Sequence, residues 1–148
     1  MNVIIKNISF VYYMVYTFTI LLTIVGYFLD LNNMGFSVDN GIVVDSLTTI
    51  LIIYVIFSIV FSFYYFYKRI KLLRSTDDDL EIRLEKYKQV SILRIILIGV
   101  GLLSGIVIFY LLRSEIILYS IGTSALFLIL SKPSETKMIS DLKIKTID

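Results

Sequence analysis

The residues with chemistry to offer are few, and most lie in one charged stretch. Asp77, Asp78 and Asp79 form the densest acidic group, flanked by Lys68, Arg69, Lys71 and Arg74 before it and by Arg83, Lys86, Lys88 and Arg94 after it. Three adjacent carboxylates raise the question of a divalent-cation site. A calcium loop, however, alternates its ligands around a glycine and closes on a glutamate, and that pattern is missing here. The spacing predicts a helix start instead: Ser75 or Thr76 as N-cap, the three aspartates on the first turn, and Arg83, Lys86 and Lys88 further on, an order that suits the helix dipole. The chain has no His and no Cys, which removes the commonest general base, the thiolate ligands and the usual haem ligand. No catalytic residue, metal ligand or cofactor is therefore expected.

Two further groups bear on binding. Lys68, Arg69, Lys71 and Arg74 follow an apolar block directly, where they serve as lipid-headgroup contacts or simply as the positive charge that sets membrane orientation. Arg94 stands at the start of another apolar block, where it either contacts an anion or headgroup or, the plainer expectation, snorkels its guanidinium to the interface. Seven residues on, Gly101, Ser104 and Gly105 make a small-residue face with a GxxxG spacing, beside Gly99. Such a face lets a second helix backbone approach closely. It predicts either packing within the chain or self-association, and Ser120, Gly122, Thr123, Ser124 and Ala125 form a weaker counterpart.

The elements that must position these residues are apolar blocks. Hydrophobic residues make up 57% of the 148, mean hydropathy is +0.86, and the apolar content falls into four uncharged runs at about 8–29, 47–67, 95–112 and 116–131. The first would be about 33 Å long as a helix, enough for a hydrocarbon core of roughly 30 Å. It is too long and too weakly flanked for a signal peptide, with Lys6 its only preceding basic residue. Residues 31–44 read as a loop, with Asp45 or Ser46 capping the second helix. Tyr64, Tyr65, Phe66 and Tyr67 end that helix as an interfacial belt. A joint at 68–94 continues into the third run, Arg113-Ser114-Glu115 makes a tight turn, and Pro133 stops the fourth run or opens a short tail helix at Ser134–Leu142.

These blocks predict an all-α integral membrane protein: one domain of four transmembrane helices, arranged as two hairpins around a charged cytosolic helical joint, with a tail at 132–148. Placing the joint inside puts thirteen of fourteen basic residues on that side with eight acids, a net of +5. One base and four acids, a net of −3, remain outside. The positive-inside rule then makes both termini cytoplasmic. Richness in Ile, Lys, Asn and Tyr points to an AT-rich genome and a bacterial inner (cell) membrane. The expected partners are membrane lipid and either a second copy or a partner membrane protein, with no nucleic acid. The runs contain no ionisable side chain other than tyrosine, so proton relays and voltage sensing lack their usual parts. Hydroxyls at Thr17, Thr19, Thr23, Ser58, Ser62, Ser104, Ser120 and Thr123 would line a polar path only if they are not bonded to their own backbone. The leading functional expectation is a non-enzymatic assembly or accessory subunit. A small homo-oligomeric channel is the first alternative, and an enzyme whose site is shared between subunits is the second.

Overall fold

An apolar run without proline closes its backbone hydrogen bonds within itself, and the single proline of this chain, Pro133, lies beyond all four runs. The computed structural model describes residues 2–32, 41–76 and 78–144. Among them all regular structure is helical: α1 (Asn2–Leu31), α2 (Gly41–Ser75), α3 (Leu80–Leu112), α4 (Glu115–Leu130) and α5 (Glu135–Leu142). Helices α1, α2 and α3 are each long and apolar enough to cross a membrane. α4 and α5, bent by 74° at their junction, make a fourth candidate if the pair is one span.

The helices are longer than the apolar runs. α2 has 35 residues and α3 has 33, so each is about 50 Å long and carries the charged joint as direct extensions of its apolar part. The cap positions differ from expectation for a local reason. Gly41 opens α2, leaving Asp45 and Ser46 inside its first turns, where the Ser46 hydroxyl donates back to the Ile42 carbonyl at 2.7 Å. Ser75 and Thr76 likewise donate to the Leu72 carbonyl, satisfying the end of α2 instead of starting α3. The N-cap of α3 is Asp79, without a side-chain cap bond, and Asp78 pairs with Lys86. Of the expected loop at 31–44, Leu31 and residues 41–44 are helical, while residues 33–40, like the expected first-turn residue Asp77, fall outside the described residues.

α3 is the central helix. It packs against α1, α2 and α4, while α2 also meets α4 and α5. Of the most apolar stretch of each helix, 39% is buried in α3, against 28% in α2 and 17% in α1, so α1 presents mostly exposed apolar side chains. Arg113 ends α3 at φ 51°, with its N–H on the Phe109 carbonyl at 2.7 Å, and Ser114 starts α4 at once. The Arg113 side chain pairs with Asp30, which brings the ends of α1 and α3 to one level. At the other end of α4, Ser131 lies against Arg94 of α3, so α4 covers the same depth as the apolar half of its neighbour.

Within the chain, the small-residue face meets side chains of the neighbouring helices. A Cβ at Gly101 would touch Tyr54 and Val55 of α2 and Ser124 of α4 at 3.4–3.6 Å, one at Gly105 would meet Ile121 of α4 at 2.9 Å, and one at Gly99 would meet Val15 of α1 at 2.9 Å. The Ser104 hydroxyl donates to the Val100 and Gly101 carbonyls. In the α4 counterpart, Ser120 and Ser124 are buried, but among the described residues nothing lies within 4 Å of a Cβ placed at Gly122.

Candidate functional site

Residues four and then three apart on a helix share a face, and Tyr87, Ser91 and Arg94 of α3 do so at its charged half. All three are buried. α5, whose Met138 and Leu142 are fully buried, packs over this face after the bend at Lys132, Pro133 and Ser134. Ser131 at the end of α4, Ile5 and Ile8 of α1, and Lys137 of α5 complete the walls of a narrow, closely packed chamber. As it stands, the chamber admits no water-sized sphere. Its rim is at the bend, where Lys132 is exposed and Pro133 and Ser134 are half-buried.

Arg94 is the central group. Snorkelling would leave its head in water, yet only 4% of the residue is exposed. Its guanidinium lies over the Phe66 ring at 3.9 Å and beside Phe63 at 5.4 Å from the ring centres. Aromatic faces attract a cation without accepting a conventional hydrogen bond. A guanidinium has five N–H donors. Among the described residues Arg94 uses one, in a long 3.4 Å bond from Nη2 to the Ser131 carbonyl, and its buried Nε has no partner. Burial pushes the Arg94 pKa down, and the neighbouring Tyr87 and Asp141 partly restore it. Because arginine starts so high, the group remains a cation.

The surroundings are more positive than negative. Lys137 is half-buried and donates to the Leu130 carbonyl at 3.2 Å. Burial, and then the charge of Arg94, lower its pKa, while Asp141 opposes them. Asp141 accepts from the Tyr87 hydroxyl at 3.2 Å, and its carbonyl accepts from Arg74 Nε. Tyr87 is pushed up by burial and by Asp141, against the opposing pull of Arg94 and Ser91. The Ser91 hydroxyl sits near enough to Tyr87 to exert that pull, but it makes no hydrogen bond of sound geometry. The arrangement therefore offers donors and positive charge and suits binding rather than proton transfer. Among the described residues no three acidic side chains converge as a metal site.

The other basic residues divide between surface and interior. Lys68, Arg69 and Lys71 are exposed. Lys68 lies over the Tyr64 ring, and Arg69 over Tyr65, whose hydroxyl accepts its Nε–H at 3.0 Å. Arg74 turns to α5, and Arg83 Nη2 reaches the Leu142 carbonyl at 2.8 Å. Of the tyrosine-rich belt, Tyr64 and Tyr67 are exposed while Phe66 turns inward to Tyr87 and Arg94. Comparison with known proteins identifies no relative. No protein-family model, curated protein or solved structure matches the chain.

Arg94 stood out in the sequence by its place at the head of an apolar run. The partners that enclose it did not, since α5 lies more than thirty-five residues downstream and its Asp141 and Lys137 look like any solvated tail charge. Gly26 was also silent. Isolated in an apolar run, it faces Tyr110 so closely that a Cβ would come within 2.3 Å of the ring, and the Tyr110 hydroxyl donates to the Thr23 carbonyl.

Proposed function

We propose that the chain is a four-span protein of a bacterial inner membrane, with both termini cytosolic, and that it acts without catalysis as an assembly or accessory subunit. The depth matching of α3 and α4 and the sidedness of the basic residues support four spans. The role rests on one observation, the exposed apolar pair Leu80 and Ile82, 49% and 47% accessible. Both precede Arg94 by at least twelve residues, so they stand roughly 20 Å beyond it along α3, on the water side of the charged layer. Beside them runs an open cleft lined by Val3, Leu84 and Gln89. Exposed apolar residues in water, carried on a braced helix, fit contact with a partner membrane protein.

A photo-reactive residue placed at Leu80 or Ile82 should give one discrete heteromeric adduct in native membranes. The same residue at Ile53 or Phe57, exposed on the apolar part of α2, should give mainly lipid adducts. Adducts only with a second copy, or none from either joint position, would remove the accessory reading. The hydroxyls argue separately against a polar path through one chain: those of Thr17, Thr19, Thr23, Ser58, Ser62, Ser104 and Thr123 donate to carbonyls of their own helices.

A further inference from the structure

The seam between α2 and α3 opens where the two helices leave their apolar halves. An open groove of about 570 Å³, accessible to water-sized groups, lies there on the face away from α5, with Leu73 and Val90 as its floor and Arg69, Lys86 and Gln89 along its edges. Its two ends differ. Leu93, which lines one end, adjoins Arg94 at the start of the apolar run, while Lys86 stands seven residues earlier, about 10 Å further along α3. The apolar end continues along α2. Tyr65 lines the groove, and Phe61 and Phe57, at successive helical turns beyond it, stack in one column with ring centres 5.8 and 5.6 Å apart. Phe57 and Phe61 are exposed, as are Ile96 and Val100 beyond Leu93 on α3. The other end is cationic. Arg69 lies over the Tyr65 ring and donates its Nε–H to the Tyr65 hydroxyl, which orients the guanidinium. Among the described residues Arg69 makes no other hydrogen bond and no ion pair. Lys86 pairs with Asp78, an exposed contact of small value, and among the described residues no acid lines the groove.

We infer that this groove holds one anionic phospholipid, with its phosphate on Arg69, its headgroup against Gln89 and Lys86, and an acyl chain along Tyr65, Phe61 and Phe57. An oriented guanidinium with its terminal nitrogens open can give a phosphate two parallel bonds, and the aromatic column below it offers an apolar track to a chain that enters from the membrane. Lys86 favours a headgroup of net negative charge. A choline headgroup would bring its cation to the same end, where no acid lines the groove among the described residues. The inference rests on the membrane reading of α2 and α3, and it singles out one basic residue among four. Lys68 lies on Tyr64, Arg74 turns to α5, and Lys71 is exposed outside the groove. Diffuse attraction of anionic lipid to the joint would treat Arg69 and Lys71 alike.

The experiment places the full chain in nanodiscs of phosphatidylcholine with a minor share of phosphatidylglycerol, and native mass spectrometry counts the lipids that stay on the released protein. One phosphatidylglycerol per chain should be retained in preference to phosphatidylcholine. Arg69→Gln should weaken that preference about tenfold, the size of one lost charge-assisted bond. Lys71→Gln, which removes an equally exposed charge outside the groove, should change it by less than about twofold. Gln89→Trp, which fills the groove and keeps every charge, should abolish the retained lipid. Equal losses from Arg69→Gln and Lys71→Gln would overturn the proposal, and so would parental retention in a Gln89→Trp chain whose helical content by circular dichroism matches the parent. Should the tryptophan variant fail to fold, the comparison of Arg69 with Lys71 decides alone. A chain that does not enter the discs at all would remove the membrane reading and this site together, whereas a chain that enters and shows equal losses removes the site only. None of these outcomes bears on the accessory role, which crosslinking at Leu80 and Ile82 tests by itself.

Discussion

At the scale of single residues, the glycines separate close approach from mere smallness. A Cβ at Gly26 would meet three atoms of the Tyr110 ring at 2.3–2.8 Å, and a ring held by its hydroxyl bond to Thr23 has no short way to yield. A Cβ at Gly101 finds ordinary contacts at 3.4–3.6 Å. Gly26→Ala should therefore destabilise the fold by about 1–3 kcal/mol, the usual cost of overpacking. Gly101→Ala should be neutral or stabilise by up to about 1 kcal/mol, since alanine is the better helix former. Thermal unfolding of the two variants in one detergent checks the order, and a reversal would mean that α1 does not pack on α3 as described. The GxxxG spacing drew attention to Gly101, yet the tightest contact belongs to Gly26, which no spacing marks. Sequence shows where small residues cluster, whereas the approach distance depends on which partner helix arrives opposite them.

At the scale of elements, α5 is the piece that turns an exposed arginine into a buried one. Its eight residues are too few to be stable as a helix alone, so docking must hold it. Met138 and Leu142 supply that docking with fully buried side chains, while Arg74, Arg83 and Tyr87 bond its last residues. Met138→Ala or Leu142→Ala should cost about 2–5 kcal/mol of docking energy, enough to release α5 without unfolding the longer helices. Limited proteolysis should then cut near 132–144 in the variants at protease levels that spare the parent chain, with helical content nearly unchanged. Resistance equal to the parent would show that the polar bonds alone secure the segment. The helices themselves were legible in the sequence, because unbroken apolar runs and one proline leave few alternatives. Their caps were not: hydroxyls at 46, 75 and 76 found nearby carbonyls within their own or the preceding helix, a competition between start and stop that the residue types do not decide. The docking of α5 was illegible for a different reason, since it depends on the 74° bend that lays a polar-looking tail across Arg94.

At the scale of the whole molecule, two contacts mark the ends of the apolar slab. Asp30 with Arg113 defines one level and Arg94 with Ser131 the other. Between Arg94 and Arg113 the helix rises roughly 28 Å, close to the thickness of a hydrocarbon core. α4 has 16 residues, about 24 Å, and it joins the same two levels, so a four-span arrangement requires its flanks, the turn at Arg113 and Ser114 and the bend at Ser131 and Lys132, to cover the difference. A shallow re-entrant segment would turn back before reaching Arg94, and its last residues would lie on the side where it began. This makes the position of Lys132 decisive. The chain has no cysteine, so single cysteines introduced at Ser114, Glu81 and Lys132 report without background. In intact cells an impermeant maleimide should label Ser114→Cys alone, and permeabilisation should add Glu81→Cys and Lys132→Cys together. Labelling of Lys132→Cys from outside would reduce the spans to three and move α5 to the far side of the membrane. The bonds of Arg74, Arg83 and Tyr87 to the last residues of α5 could then not form, because those three residues lie on the Glu81 side, so external labelling of Lys132→Cys and the docked α5 exclude each other.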